Sequence, residues 1–245
     1  MGGKGSDATN PSSRLHITRC KQIPPLEGKR VRFLMSARRP AQPSLDTSLP
    51  RDHLLHTAIT LFSAGGYEGA SVNDIVNRAG VSKRMVYHYF KNKALLYQEA
   101  LFFAFNELAK LENEAVASAE SLEQVVKNLI RVYFGFPREH PDFSRLLRWE
   151  NLNGGKGIQD SKFPLSKDHV IKVLRAAIKR EADGKRWRTD LEPNQLLITI
   201  IGICQVYTSH RYTLSQGLHR DLGTPSAIKR GITNAEHYLL TGMRP

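Results

Sequence analysis

Apolar side chains recur at helical spacing through most of the chain, beginning just after Pro50. In the first such segment they fall at i, i+4, i+7 and i+8, on Leu54, Ala58, Leu61 and Phe62. This spacing predicts a buried face on a helix over about Arg51–Ala64. Gly65-Gly66 is predicted to end that helix, because glycine readily adopts the backbone conformations that close one. No long stretch alternates Val, Ile or Thr with polar residues, so the pattern predicts an all-α fold.

Two shorter helices, joined by a glycine turn, are predicted next. Ser71, with Asp74 three residues later, resembles a capping box in which Asp replaces Glu or Gln, so helix 2 is predicted to start at Ser71. Gly80-Val81 predicts a tight turn. Ser82 is then expected to cap a third helix from Lys83 to about Phe90. A longer helix followed by two short ones across a tight turn is the helix-turn-helix arrangement.

The third predicted helix has one apolar face and one basic face. Val86 and Phe90 lie four residues apart and face inward. The outward positions carry polar side chains, namely Lys83, Arg84, Tyr87, His88 and Lys91. Arg and Lys can donate to guanine in the major groove, and tyrosine suits phosphate oxygens. An exposed basic helix can also be a solvated surface, so these residues by themselves favour DNA binding without deciding it.

Helical spacing continues to the end of the chain. Asn92 is predicted to cap a fourth helix that begins near Lys93. The later helices are expected to begin at Ser121 and Pro141, to cover Pro164–Arg180 and Pro193–Tyr212, and to end with a segment capped by Thr224. The segment from Pro193 is apolar nearly all round, which predicts burial on more than one side.

Charge and cysteine usage narrow the class of protein. The net charge is +13, which suits a polyanion such as nucleic acid or an anionic membrane surface. Five bases and a single acid fall within residues 71–95, where the helix-turn-helix is predicted. Cys20 and Cys204 are the only cysteines, which indicates reduced thiols rather than disulfides. No apolar run is long enough for a membrane span, and no signal peptide is expected, so we predict a cytoplasmic protein with no membrane partner.

Residues 1–48 are rich in Gly, Ser and Pro and hold nine bases against three acids. They show no sustained apolar period and are predicted to form a disordered basic tail. Two interpretations of this tail stay open. Met35 could be the natural start, which would place the first 34 residues outside the native protein. Alternatively, the tail could be a basic arm that adds affinity for DNA.

A set of motifs between Ala58 and Leu95 identifies a family resemblance. The motifs are Leu61-Phe62, Gly66-Tyr67, Ser71-Val72-x-Asp74-Ile75, Ala79-Gly80-Val81-Ser82 and Val86-Tyr87-x-Tyr89-Phe90-x-x-Lys93. Together they resemble the DNA-binding domain of the TetR family of bacterial regulators. The resemblance implies a dimeric, ligand-responsive transcriptional regulator, most often a repressor, rather than an enzyme. Arg84-Met85 departs from the small residues often found there, so the operator of a relative does not transfer to this chain.

The resemblance also implies which residues meet DNA. The matched positions are Ser71, Asn73, Ser82, Lys83, Arg84, Met85, Tyr87, His88 and Lys93. Asn73 is expected to read a base or bind a phosphate. The recognition helix is expected to present Lys83, Arg84 and Met85 at its exposed start. Tyr87, His88 and Lys93 match positions that contact the phosphate backbone; we therefore expect double-stranded DNA as a partner.

The resemblance further implies two domains after the tail, a helix-turn-helix domain over residues 49–97 and a helical ligand-binding and dimerisation domain over residues 98–245. The last two long helices, Pro193–Tyr212 and Thr224–Leu240, are expected to pair with those of a second copy; an added layer of monomer core is the alternative. The effector pocket is expected between helix 4 and the C-terminal helices. Its candidates are aromatic and amide residues, each of which could instead be a plain core residue: Phe134, Trp149, Asn151, Tyr207 and Tyr212. The segment from His140 to Gly155 also resembles the RutR-like subgroup.

An enzyme and a non-specific basic protein are the two alternatives to this prediction. The segment Asn153–Gly157 resembles a phosphate loop but lacks the G-x-x-x-x-G-K-[ST] spacing. The nine histidines form no recognisable metal motif, and no nucleophile with a neighbouring base is evident, so neither a cofactor nor a metal site is predicted. The remaining alternative is a non-specific, nucleoid-type basic protein. Such a protein would show salt-dependent binding without preference for one sequence.

Overall fold

Eleven helices lie within residues 49–159, 161–182 and 185–245, which are the parts of the chain described by this computed structural model. They are α1 (Leu49–Gly69), α2 (Val72–Ala79), α3 (Lys83–Phe90), α4 (Lys93–Ala117), α5 (Leu122–Glu139), α6 (Pro141–Leu152), α7 (Lys156–Gln159), α8 (Asp168–Glu181), α9 (Pro193–Ser209), α10 (Arg211–Gly217) and α11 (Pro225–Gly242). These ranges contain no strand, so the prediction of an all-α fold is confirmed. The predicted tail over residues 1–48 lies outside the described residues.

The helix-turn-helix forms as its local signals predict. Ser71 and Asp74 make a reciprocal capping box at the start of α2, and Gly80 closes α2 in the left-handed conformation with φ 67°. The hydroxyl of Ser82, however, makes no capping hydrogen bond, contrary to prediction. The amide of Met85, which that hydroxyl was expected to cap, donates instead to the backbone carbonyl oxygen of Ser82 at 2.9 Å.

A break in α1 lies at the glycine pair that was predicted to end this helix, but the helix resumes after it and ends at Gly69. Gly66 has φ 69° and ψ −170°, a region open essentially to glycine alone, and one further helical turn to Gly69 follows it. A side-chain carbon added at Gly66 would lie 3.1 Å from Cε3 of Trp149. Because Gly66 has no side chain, the ring of Trp149 can approach the backbone of α1 closely.

Two apolar cores organise the helices. The first contains the buried sides of α1 to α3, the first half of α4, and Leu146 from α6. The second is built mainly from α5, α8, α9 and α11, with Leu129, Leu174 and Ile200 completely buried. Because α4 contributes to both cores and α6 reaches into the first, the two groups of helices are joined by buried contacts as well as by the chain.

Two predicted helix boundaries in the C-terminal part are wrong. The helix expected from Pro164 begins at Asp168, since the preceding residues are held against α4, where Phe163 stacks on Phe102 with ring centroids 4.8 Å apart. The helix from Pro193 ends at Ser209 rather than Tyr212, and Tyr212 belongs to α10. None of the helices in the described ranges is both long and apolar enough to cross a membrane.

Candidate DNA-binding surface and effector region

The face of α3 that points away from the first core is basic. Val86 and Phe90 are buried and fix the inner face of the helix. The outer positions Lys83, Arg84, Tyr87 and His88 are exposed, whereas Met85 is half-buried. Tyr87 keeps 49% of its side chain exposed although it is a large aromatic residue. This short helix therefore offers donors and an aromatic hydroxyl to an external partner, as its predicted role requires.

The positive charges in the first turn of α3 are unfavourable for the stability of this helix. Lys83 and Arg84 occupy the first turn, and no acidic residue accompanies them there. The amino end of a helix carries a partial positive charge, so cations in the first turn destabilise it. An anion placed at this end would relieve the conflict, because it would meet both side-chain cations and free backbone N–H groups.

Two polar side chains lie at the start of α2. That of Ser71 takes part in the helix cap, and that of Asn73 is exposed. The hydroxyl of Ser71 accepts from the amide of Asp74 at 3.1 Å and donates to its carboxylate at 2.5 Å. The hydrogen bond that the Ser71 hydroxyl donates to the carboxylate, and secondly the one that the Ser71 backbone amide donates at 3.2 Å, lower the pKa of Asp74. Asn73 is exposed beside this cap. Ser71 thus positions the helix, and Asn73 is available to a partner.

Lys93, the first residue of α4, is held in place by the aromatic ring of Tyr67 on α1. Its Nζ lies 4.2 Å from the ring centroid of Tyr67, and the side chain is only half-exposed. Burial, followed by the nearby charge of Glu68, raises the pKa of Tyr67, so its ring stays neutral beneath the ammonium. Asn92 caps the same helix end by accepting from the amide of Leu95 at 2.8 Å. Lys93 therefore combines a restrained cation with a helix amino terminus, which is a suitable site for a phosphate.

Comparison with known proteins agrees with this arrangement. Residues 54–100 match the family model described as bacterial regulatory proteins, tetR family, and residues 123–234 match the model described as tetracyclin repressor-like, C-terminal domain. The chain belongs to the TetR family. It is a DNA-binding transcriptional regulator and not an enzyme. The narrower resemblance to the RutR-like subgroup stays a prediction.

Relatives of this TetR-family regulator extend over most of the chain. The transcriptional repressor NicS of Pseudomonas putida is 27% identical over 195 residues, covering 79% of this chain and 92% of NicS. The negative transcriptional regulator IcaR of Staphylococcus aureus is 28% identical over 130 residues, covering 48% of this chain and 66% of IcaR. The regulator FadR from Bacillus subtilis, solved in complex with stearoyl-CoA, shares the fold with a TM-score of 0.60 at 16% identity, covering 79% of this chain and all of FadR.

In the TetR-family regulator described here, α6 connects the DNA-binding helices to the rest of the protein. The indole N–H of Trp149 donates to the carbonyl oxygen of Ser63 on α1 at 3.1 Å. Glu150, the next residue, is buried and accepts from the hydroxyl of Tyr97 on α4 at 3.0 Å. It also accepts from the amide of Gly157 at the start of α7. A shift of α6 would therefore act on α1 and α4 together.

The five residues predicted to line an effector pocket do not share one cavity. Phe134 is buried in the second core and packs against Tyr207, with ring centroids 5.1 Å apart. Trp149 packs on α1, and Tyr212 on α10 is 80% exposed. Asn151 alone of the five lines a small cavity of about 50 Å³ between α4, α5, α6 and α9.

A larger cavity, of about 340 Å³, lies between α4 and the start of α8. Its wall includes Glu112 on α4 and Lys167 just before α8, which form an ion pair with Nζ 2.5 Å from Oε1. Sequence reasoning missed both residues. A signal was present for Glu112, which stands in line with the apolar Leu108, Ala115 and Val116 at helical spacing. Within the described ranges, no group of three His, Cys, Asp or Glu residues is placed to hold a metal ion.

An exposed apolar strip runs along α9 in the part of the chain that the structure describes. Ile198 is 60% exposed, and Val206 two turns later is also exposed. Gly202 lies between them, and a side-chain carbon added there would meet no atom within 4 Å, so the backbone of α9 is open to close approach. On the neighbouring helix α11, Tyr238 is likewise exposed. Within the described residues α9 packs against α5, α8 and α11, and burial of its remaining apolar strip stays a prediction.

Proposed function

We propose that this TetR-family regulator is a ligand-responsive repressor that binds a palindromic operator as a homodimer. The observation that carries the proposal is the exposed basic face of α3, supported by two buried anchors and a glycine turn. NicS and IcaR are both described as negative regulators, which supports the same sign of control here. Residues 49–97 would bind DNA, and residues 98–245 would bind the effector and form the dimer.

The proposed DNA contacts divide into base-reading and phosphate-binding groups. Arg84, with Lys83 and Met85, would enter the major groove, where Arg can donate two hydrogen bonds to guanine. The proposed backbone and flanking contacts are Ser71, Asn73, Ser82, Tyr87, His88 and Lys93. The hydroxyl of Ser82, which makes no capping hydrogen bond, and the restrained ammonium of Lys93 support the assignment of these two to phosphate.

The proposed dimer uses α9 and α11. Pairing of these helices with their mates would cover Ile198, Val206 and Tyr238, which the single chain leaves exposed. Gly202 would allow the two copies of α9 to approach closely. A symmetric pair is required because two recognition helices must enter successive major grooves, roughly 34–36 Å apart.

The effector would act by favouring a dimer whose recognition helices are wrongly spaced. It can shift this equilibrium only by the difference in its affinity for the two conformations. The small cavity that Asn151 lines lies between α4 and the C-terminal helices, where the pocket is predicted. Phe134, Trp149, Tyr207 and Tyr212 remain candidates for a ligand-bound conformation. The contacts of Trp149 and Glu150 with α1 and α4 would carry the change to the DNA-binding helices.

The test is to select an operator from random duplex DNA and measure affinities for it and for a scrambled duplex. Arg84→Ala is expected to weaken operator binding by about 1–3 kcal/mol and to relax base choice at one position per half-site. Lys93→Ala is expected to weaken both duplexes alike and to reduce the salt slope by about one. Failure to select any sequence, or equal small losses for both variants on both duplexes, would contradict the proposal and favour a non-specific basic protein.

A further inference from the structure

Glu112 is a buried carboxylate at the centre of a polar cluster in the C-terminal part of the protein. It lies on α4 with 1% of its surface exposed. Nζ of Lys167 lies 2.5 Å from its Oε1 and 2.7 Å from its Oε2, so the ammonium is shared by both oxygens. The hydroxyl of Tyr133 on α5 donates to Oε1 at 2.6 Å. A carboxylate so far from water requires such partners, because burying it alone is costly.

An aromatic ring completes the surroundings of the ammonium. Nζ of Lys167 lies 4.5 Å from the ring centroid of Phe105, which is about two turns before Glu112 on α4. The three groups around the cation are therefore a carboxylate, a phenol that orients the carboxylate, and the face of a ring. This is the set of groups that recognises alkylammonium ions in general, through charge-assisted hydrogen bonds and cation–π attraction.

The cation itself is the removable part of this cluster. Phe105 and Glu112 belong to α4 and Tyr133 to α5, whereas Lys167 ends the non-helical segment that precedes α8. Burial lowers the pKa of Lys167, opposed by the charge of Glu112, so its ammonium is held in an environment that would otherwise disfavour it. The cavity of about 340 Å³ opens beside it, lined by Glu112 and Lys167 themselves. Space for another molecule thus adjoins the place that the ammonium occupies.

We propose that Glu112, Tyr133 and Phe105 form a binding site for small organic ammonium ions, in which Lys167 is a tethered occupant that the ligand displaces. The identification of such a ligand as the effector rests on the proposed function, but the site itself does not. A cationic ligand would replace the ammonium of Lys167 with another positive charge, so Glu112 would keep a cationic partner. An anion that paired with Lys167 would bring a second negative charge beside Glu112, and a neutral ligand would leave that carboxylate without a cation.

The dimensions of the cavity restrict the ligand to a small molecule. A volume of about 340 Å³ is at the lower end of the range of ligand pockets. Asp168, His169 and Lys172 line its rim, but all three are exposed, so solvent screens their charges far more than that of Glu112. The site therefore suits an amine with a short alkyl or single-ring body.

The experiment is chemical rescue of Lys167→Ala in DNA-free protein, followed by thermal melting. Removal of the ammonium leaves Glu112 buried without its cation, and the melting temperature is expected to fall by roughly 10 °C. Millimolar 2-phenylethylammonium is expected to restore most of the loss, whereas neutral 2-phenylethanol and anionic 3-phenylpropionate are not. Rescue by the alcohol or by the acid to the same extent as by the amine would overturn the proposal.

Two further variants control this measurement. Lys172→Ala removes an exposed cation from the rim of the same cavity, and neither a loss of stability nor a response to the amine different from that of the wild-type chain is expected. Lys167→Ala combined with Glu112→Gln removes the buried charge as well, and should regain stability without the amine. Equal stabilisation of this double variant by 2-phenylethylammonium would contradict a site built on Glu112.

A measurement on the wild-type chain covers the case in which Lys167→Ala does not fold. Calorimetric titration with 2-phenylethylammonium is expected to show binding that Glu112→Gln weakens by about tenfold or more. Absence of binding to the wild-type chain, or an unchanged affinity in Glu112→Gln, would then overturn the site. Because no DNA is present, these outcomes are independent of whether the proposed repressor selects an operator.

Discussion

Lys83, in the first turn of α3, is expected to favour DNA binding and to reduce the stability of the helix itself. Replacement by an acid removes a cation from the positive end of the helix and supplies the charge that this end favours. Lys83→Glu is therefore expected to raise the melting temperature of the free protein by roughly 1–2 °C. The same change places a negative charge against DNA, and operator affinity is expected to fall by at least about tenfold. Both quantities are measured on one preparation.

The matched control is Lys172→Glu, which makes the same change in net charge at an exposed position on α8. Operator affinity should change far less there, because the position lies outside the helix-turn-helix. Equal losses of affinity in the two variants would show that total charge, and not the face of α3, governs binding.

Gly65 and Gly66 are adjacent but differ in what they tolerate. Gly66 has a positive φ and faces the ring of Trp149, so Gly66→Ala is expected to reduce the free energy of unfolding by about 2 kcal/mol. Gly65 is helical with no atom within 4 Å of an added side-chain carbon, so Gly65→Ala is expected to be neutral or to stabilise by up to ~1 kcal/mol. Urea unfolding of the two variants measures the difference, and equal effects would contradict the role given to the break in α1.

Among the helices, α6 makes the buried polar link to the DNA-binding part, through Glu150. Its carboxylate accepts from Tyr97 and from the amides of Gly157 and Ile158. Glu150→Gln keeps the shape but weakens all three charge-assisted hydrogen bonds, and is expected to cost roughly 1–2 kcal/mol of unfolding free energy. Denaturant titration measures this loss. The exposed Glu139→Gln on α5 is the control, and a loss as large there would remove the special role of Glu150.

The helix ends that were predictable are those fixed by short-range hydrogen bonds. Ser71, Asn92 and Thr224 cap the helices that follow them, and in each case the partner amide lies within three residues. The start of α8 was not predictable in this way. Pro164 is compatible with a first helical turn, but Phe163 and Lys167 are held by residues more than 50 positions earlier in the chain. Local sequence carries no record of such tertiary contacts.

The same distinction separates the two candidate sites. The proposed DNA-binding face lies mainly on two consecutive short helices, α2 and α3, so helical spacing alone predicts which side chains point outward. A ligand site depends on how distant helices face each other. Phe134 and Tyr212 were both reasonable pocket candidates from their residue types, yet one is buried in the second core and the other lies on the surface. Their side chains could be placed only once the packing of α5 and α10 was known.

At the scale of the whole molecule, α9 provides the sharpest test of assembly. Ile198→Asp introduces a charge at a position that is 60% exposed in the single chain, so the fold should tolerate it. In the proposed dimer the same charge would be buried, and self-association is expected to weaken by about 30-fold or more, with loss of operator binding. Sedimentation equilibrium measures the first effect and fluorescence anisotropy the second.

Leu152→Asp serves as the control for a new charge on an exposed apolar residue. Leu152 is 81% exposed at the end of α6 and belongs to neither α9 nor α11. It should leave self-association intact. A dimer that survives Ile198→Asp but not Leu152→Asp would place the interface elsewhere.

Leu146 completes the first core from a position nearly 100 residues after the beginning of α1. During synthesis, α3 therefore leaves the ribosome well before the last buried residue of this core. At about 5–20 residues per second, several seconds separate the two events. Over that interval α3 has been synthesised, but the core that contains its buried side chains is not yet complete. The first core is thus completed late relative to the helix-turn-helix, when the part of the chain that is proposed to control DNA binding has begun to emerge.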